Sequence, residues 1–153
     1  MKKTIALSRG LSGVAGEYLV AGQLSNLGYL ATITLRNSKG IDILCSNETG
    51  DKIVSIQVKT NQRSESGWVL DEKAEKHFNE KFFYVFVKLN NDTNKVHEFF
   101  IVPSQIVADD LRLGYKQWQD APNRKGGKHA DTRMRKFRDS DGKYLNNWTV
   151  LGL

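Results

Sequence analysis

Lys52-Ile53-Val54-Ser55-Ile56-Gln57-Val58-Lys59-Thr60 decides how the rest of this chain is read. Val54, Ile56 and Val58 alternate with Ser55, Gln57 and Lys59, and a period of two puts the two sets on opposite faces of a β-strand. One face belongs to a core. The other presents an amide and an ammonium side by side, on a strand that its apolar residues hold rigid. Upstream, Ile41-Asp42-Ile43-Leu44-Cys45-Ser46 sets one carboxylate into a second apolar strand. Gly40, just before it, lets a backbone or a ligand come close. Asn47-Glu48-Thr49-Gly50-Asp51 is short enough for a hairpin loop, so these two strands are expected to be antiparallel neighbours.

Toward the N-terminus, Gly13 to Leu27 reads as a helix, with Ser12 as its N-cap and Gly28 just past its end. At roughly 100° per residue, Val14, Val20, Ala21 and Leu24 all lie within about 60° of Glu17. Glu17 is therefore expected near the centre of the apolar face. A carboxylate there is costly unless it is protonated, bound to a metal or paired, for instance with Arg9 or Arg36.

The other elements follow from period and punctuation. Leu30 to Leu35 is a first strand, and Asn37-Ser38-Lys39-Gly40 a turn. Asn61 to Gly67 is a polar loop, Trp68 to Leu70 a short strand and Asp71 to His77 a short helix. Phe82 to Lys88 and His97 to Val102 are strands joined by the turn cluster Asn90 to Asn94. Pro103-Ser104 opens a helix through about Trp118, with Ser104 as N-cap. Asp120 to Lys128 is a loop, Thr132 to Arg138 a short helix or an extended basic arm, and Trp148 to Leu151 a closing strand. Several strands with few helices between them predict an α/β fold: a mixed central sheet flanked by helices.

Residues 1–153 are expected to form one domain, since this length buries a core without cross-links. The longest apolar run, Phe82 to Val87, is too short to cross a bilayer. The segment Met1 to Arg9 has two lysines but no extended apolar region, which predicts no signal peptide. Cys45 is the single cysteine, so neither an internal disulfide nor a cysteine-based zinc site is possible; a buried strand residue in a cytoplasmic protein is expected.

The net charge of +6 is unevenly placed. Residues 112–143 hold ten Lys and Arg against four Asp, leaving thirteen of the 23 basic and thirteen of the 17 acidic residues to cancel elsewhere. The whole excess therefore lies in one C-terminal segment, and polyanions are its natural partner. Arg124, Lys125, Lys128, Arg133, Arg135, Lys136 and Arg138, with Lys39 from the earlier turn, are the expected nucleic-acid contacts. Trp118 and Trp148 are either base-stacking or core residues. His77, His97 and His129 show no ligand spacing. Gly126-Gly127 lacks the spacing and the preceding strand of a phosphate-binding loop.

Helix, strand, strand then deliver Glu17, Asp42, Gln57 and Lys59. Phosphodiester hydrolysis needs a metal to polarise the phosphoryl oxygen and charge stabilisation in the transition state. Magnesium takes oxygen ligands and keeps several waters, so two carboxylates suffice. Asp42 is the best direct ligand, with the Gln57 amide oxygen, the Val58 carbonyl and Glu17 as further candidates. Lys59 can orient water or neutralise developing charge. Each residue also has a plainer reading: a capping glutamate, a turn aspartate, the solvated half of an edge strand.

Three segments resemble the PD-(D/E)XK nuclease superfamily, in particular its Holliday-junction-resolvase-like and restriction-endonuclease-like members. They are Gly16-Glu17-Tyr18-Leu19-Val20 with Leu27-Gly28-Tyr29, Ser38-Lys39-Gly40-Ile41-Asp42-Ile43, and Ile56-Gln57-Val58-Lys59-Thr60. Phe100-Ile101-Val102-Pro103-Ser104 is similar to small bacterial relatives. The resemblance implies an αβββαβ core, dependence on Mg²⁺ (or Mn²⁺), and DNA as substrate, branched DNA included. It implies metal and catalytic roles for Glu17, Asp42 and Lys59. Cutting two strands implies a homodimer. Gln57 departs from the usual pattern, Asp or Glu at this position, although some relatives carry Gln there; the amide keeps an acceptor oxygen and loses a charge. Two other functions therefore stay open: a catalytically silent nucleic-acid-binding module, and a small protein whose basic segment docks on an acidic partner.

Overall fold

The computed structural model describes residues 6–35, 40–62, 67–92 and 94–153. The expected turn at 37–40 and loop at 61–67 fall largely outside that set, as do Arg36 and Lys39.

The first helix, α1 (Arg9–Asn26), begins four residues before the expected start. Its N-cap is Ser8, whose hydroxyl accepts from the Leu11 N–H at 3.2 Å. Ser12 is instead buried inside the first turn, donating to the Arg9 carbonyl. The glycines at 10 and 13 read as a lead-in because each weakens a helix by about 1 kcal/mol relative to alanine. Tertiary packing overrides that deficit. The buried stripe is Ser12, Gly16, Val20 and Leu24, one residue every turn. Glu17 therefore lies half-buried on the flank of this stripe and not at its centre. Gly28 follows the helix at φ +89°, the left-handed position that glycine adopts without strain.

Five strands form the main sheet in the order β1 (Leu30–Ile33), β2 (Ile43–Ser46), β3 (Ile53–Asn61), β5 (Phe82–Lys88), β6 (Glu98–Pro103). β2 and β3 are the antiparallel hairpin that the loop Asn47 to Asp51 predicts, in the register Ile43 opposite Ile56. β3 and β5 are parallel, with Gln57 opposite Tyr84 and Lys59 opposite Phe86. A parallel pair needs a crossover. Here it is β4 (Trp68–Asp71) and a single 3₁₀ turn at Glu72–Glu75, where the sequence predicts a helix through His77. Asp71 caps that turn by accepting from the Lys73 N–H.

The sheet divides two apolar layers. On one face, Val20 and Leu24 of α1 pack on Ile43, Cys45, Ile56, Val58, Val85 and Ile101. Trp148–Leu151 closes this layer as a 3₁₀ turn and not as a strand; its Trp148 is a core residue. On the other face, Val107 and Leu111 of α2 (Ser104–Asp120) pack with Phe82, Tyr84, Phe86 and Val102. β5 is buried on both faces, which is why Phe82 to Val87 reads as one continuous apolar run. Ser104 does not cap α2. It is fully buried, and its hydroxyl donates to the Asn79 carbonyl and accepts from the Asn79 N–H.

The basic segment folds into the body of the protein. Met134–Phe137 is a strand, β7, antiparallel to β4 in a separate two-stranded sheet. Phe137 and Leu70 from this sheet join the α2-side core. Alternation along β7 buries Arg135 and Phe137 and exposes Met134 and Lys136, and Arg138 just past the strand is exposed as well. No helix among the described residues is long and apolar enough to cross a membrane.

Candidate active site

Asp42 sits at the mouth of β2, where two residues meet one. Ile43 faces Ile56 in register, yet the Asp42 N–H also donates to the Ile56 carbonyl at 2.9 Å. This is the arrangement of a β-bulge, and bulges re-aim a side chain out of strict alternation. The Asp42 carboxylate turns onto β3 and accepts from the Val58 N–H at 2.7 Å. Its backbone is held from behind by Thr34: the Thr34 N–H donates to the Asp42 carbonyl at 2.9 Å, and the Thr34 hydroxyl to the Ile41 carbonyl at 2.6 Å. The carboxylate is therefore fixed against the middle of Gln57-Val58-Lys59.

A strand residue directs its N–H and C=O to the same edge. Val58 meets Asp42 through its N–H, so its carbonyl opens on the Asp42 side. Gln57 and Lys59, both half-buried, lie on the face opposite Ile56 and Val58. The Lys59 side chain makes no hydrogen bond or ion pair with any other described residue, which leaves its ammonium available to an anion.

Glu17 reaches the site from α1. It lines a cleft of about 320 Å³ with Asp42, Ile41, Thr34 and Arg9. Gly10 and Gly13 also border this cleft, so the wall beside Glu17 is bare backbone. The helix can approach so closely because Gly16 lies directly on Thr60 of β3; a methyl group there would overlap the Thr60 side chain. Thr60 keeps a buried hydroxyl with no hydrogen-bond partner among the described residues. Close contact between α1 and β3 is met at that residue by shape alone.

His77 carries no signal in the sequence, because nothing in its spacing relates it to Asp42 or Gln57. The fold brings it to the same place. A Cβ at Gly40 would lie 3.7 Å from His77 Cε1 and 3.9 Å from Gln57 Nε2, so both side chains border the glycine. The imidazole stacks on Phe82 at 4.8 Å, which fixes its plane. By contrast, His97 accepts from the Asn90 N–H in a turn, and His129 stacks on Trp118, both away from this set.

The donors that line the cleft are the carboxylates of Glu17 and Asp42; the Gln57 amide and the Val58 carbonyl are further oxygens on β3, the strand on which the Asp42 carboxylate rests. Among the described residues no group of three His, Cys, Asp or Glu side chains gathers to cage a metal. Two carboxylates with neutral oxygens suit a hard divalent cation that keeps most of its own waters. The donor set fits magnesium or manganese, and lacks the thiolates or paired imidazoles that a zinc site uses.

The expected nucleic-acid residues divide. Arg124, Lys125 and Lys128 are exposed on the turn after α2, which Asn123 closes through its side chain and backbone. Lys136 on β7 and Arg138 just past its end are exposed. Arg133 is exposed but paired with Asp71 at 3.1 Å and Glu72 at 3.3 Å. Arg135 does not match its expectation of a phosphate contact. Its side chain is buried, ion-paired with Glu75, and laid over the Tyr115 ring at 3.3 Å. Lys39 lies outside the described residues. The 3₁₀ turn that carries Glu72 and Glu75 links the two regions, since Glu75 pairs with Arg135 of β7 and the turn leads directly to His77.

Comparison with solved structures finds a bacterial homing endonuclease, I-Ssp6803I. It is 17% identical, with 96% of this chain and 94% of that chain covered at a TM-score of 0.56. The fold is a nuclease-like α/β fold. At that identity the likeness speaks to the fold alone. No protein-family model and no curated protein matches the chain.

Proposed function

We propose that this protein is a metal-dependent DNA endonuclease whose site is built from Glu17, Asp42, Gln57 and Lys59. The observation that carries this reading is the Asp42 carboxylate, seated on the Val58 N–H at 2.7 Å while it lines one cleft with Glu17. A carboxylate held by backbone on a rigid strand pair is preorganised, and preorganised charge is what hydrolysis of an anionic ester requires. The likeness to a homing endonuclease and the excess positive charge of residues 112–143 support DNA as the substrate class.

Glu17, Asp42, the Gln57 amide oxygen and the Val58 carbonyl would hold Mg²⁺ or Mn²⁺. Bound there, the ion supplies Lewis acidity toward a phosphoryl oxygen and an acidified water. Asp42 is held in place by the Val58 N–H. Lys59 neutralises charge on the nonbridging phosphate oxygens as water attacks phosphorus and the P–O bond to the leaving strand breaks. Gln57 offers an acceptor oxygen without a full charge, so metal affinity is expected to be lower than a third carboxylate would give. A homodimer that cuts both strands, and assignment to the PD-(D/E)XK superfamily, belong to the same proposal.

The deciding experiment incubates the protein with linear duplex, single-stranded and four-way-junction DNA, each with Mg²⁺, Mn²⁺ or EDTA. Metal-dependent cleavage that Asp42→Ala removes is the expected result. The neutral amide at Gln57 favours one competing reading, a silent DNA-binding module. Binding without cleavage on every substrate and metal would establish that reading instead.

A further inference from the structure

We propose that the groove between α2 and β7 binds an unpaired nucleotide of a DNA strand, its base against Met134 and Trp118 and its flanking phosphates on Lys136 and Arg138. This rests on the nuclease reading for its choice of DNA and adds a second, separate subsite.

The groove is formed by two regular elements. On α2, Asp110, Gly114, Gln117 and Trp118 recur at helical spacing on one face; β7 supplies Met134 and Lys136 from its exposed face, and Arg138 follows just past its end. The space between them is about 530 Å³, within the range of about 300–1,000 Å³ typical of small-ligand sites. Gly114 keeps the helical wall low, since nothing lies within 4 Å of where its Cβ would be. Met134 is 58% exposed and Trp118 38% exposed, an apolar floor left in water.

That floor is anchored. The buried Arg135 guanidinium covers one side of Tyr115, Tyr115 stacks on Trp118 at 5.6 Å, and Trp118 stacks on His129 at 4.1 Å. Arg135 in turn is ion-paired with Glu75, and the Tyr115 hydroxyl hydrogen-bonds Asp131. The indole edge is thus held in place before any ligand arrives, so little side-chain entropy is lost on binding. Aromatic edges and a thioether are favourable surfaces for another flat ring.

Charge selects the occupant. Arg112, Arg133 and Arg135 are engaged by Asp109, by Asp71 and Glu72, and by Glu75. Lys136 and Arg138 have no ion pair among the described residues and border the groove. A polyanion satisfies them. A duplex would meet these cations with its backbone while its bases stay stacked, leaving Met134 and Trp118 wet. An unpaired nucleotide covers both. Asp110, also at the groove, opposes a phosphate but can accept from a base amino group.

Binding of the full chain is measured in EDTA, to prevent cleavage, with three probes: a single-stranded oligonucleotide, the same strand with abasic sites, and the matching duplex. The normal strand is expected to bind roughly fivefold or more tightly than its abasic copy, as an added aromatic contact implies. Trp118→Ala should erase that preference with an unchanged salt slope, and Trp118→Phe should retain most of it. Lys136→Gln with Arg138→Gln should lower the salt slope and keep the preference. Equal affinity of wild type for normal and abasic strands overturns the proposal without recourse to any variant. Equal displacement of the strand by polyglutamate also overturns it, in favour of an acidic protein partner. Mg²⁺-dependent duplex cleavage scores the nuclease reading separately: cleavage with no base preference sinks the groove alone, and a base preference without cleavage sinks the nuclease alone.

Discussion

Among single residues, Asp42, Gln57 and Lys59 make distinct tests. Asp42→Ala and Lys59→Ala are each expected to abolish cleavage while DNA affinity changes little, because both act on reacting groups and not on docking; single-turnover cleavage beside a binding isotherm checks this. Gln57→Glu adds a negative ligand at unchanged side-chain length. It should lower the Mg²⁺ concentration for half-maximal cleavage, read from a metal titration. Cys45 offers a stability test independent of function. Burial pushes its thiol up to about 11, from an ordinary value near 9. The unfolded chain therefore loses its thiol proton first as pH rises. Stability from the buried neutral thiol is complete below about pH 9 and falls between there and about 11, at up to about 1.4 kcal/mol per pH unit. Denaturation of wild type against Cys45→Ala across that window isolates the effect: only the wild type should show this contribution to the slope.

Between elements, two junctions make packing directly testable. Gly16 sets α1 onto β3, and Gly16→Ala is expected to destabilise the protein by about 1–3 kcal/mol, as overpacking does. Thr60→Ala in the same chain should recover most of that stability, because the crowding atoms belong to Thr60. Urea denaturation of the two single variants and the double variant measures the coupling. The other junction is Arg135 with Glu75. Both side chains are largely buried, and removing one partner strands a charge, at a cost of about 3–5 kcal/mol. Arg135→Ala should therefore register as reduced stability, with any weakening of DNA binding following from it. Lys136→Gln, one residue along and exposed, should do the reverse. Neighbours on one strand thus take opposite roles because β-structure alternates.

For the whole molecule, the charge imbalance predicts salt-sensitive binding. Replacing Arg124, Lys125, Lys128, Lys136 and Arg138 by glutamine should reduce the log–log salt slope by about 0.9 for each duplex phosphate that is no longer neutralised. Affinity should fall for all sequences alike. A slope unchanged in that variant would assign the basic segment to some other task. On the proposed function, cleavage would depend on metal and binding on salt, so the acidic cleft and the basic surface answer to different assays.

Local pattern is enough to locate the strands that carry Asp42, Gln57 and Lys59. Alternation in Ile53 to Thr60, a short loop at Asn47 to Asp51 and a doubly buried Phe82 to Val87 are signals between near neighbours, so they are legible in the chain. So is the grouping of Glu17 with Asp42, which the structure places on one cleft. Other features depend on contacts between distant residues. The helix start at Ser8 is masked by glycines whose weak propensity is offset by tertiary packing, including Gly16 against Thr60, 44 positions away. Ser104 reads as a cap, yet Asn79 takes its hydroxyl. Thr132 to Arg138 is ambiguous as helix or arm because a four-residue strand has almost no intrinsic stability, and β4 supplies its pairing from 63 to 69 positions back. Folding alone removes Arg135 from the basic surface, adds His77 beside Gln57, and sets Trp118 in a groove. A sequence records the charge and size of each side chain; what each one faces is fixed by packing.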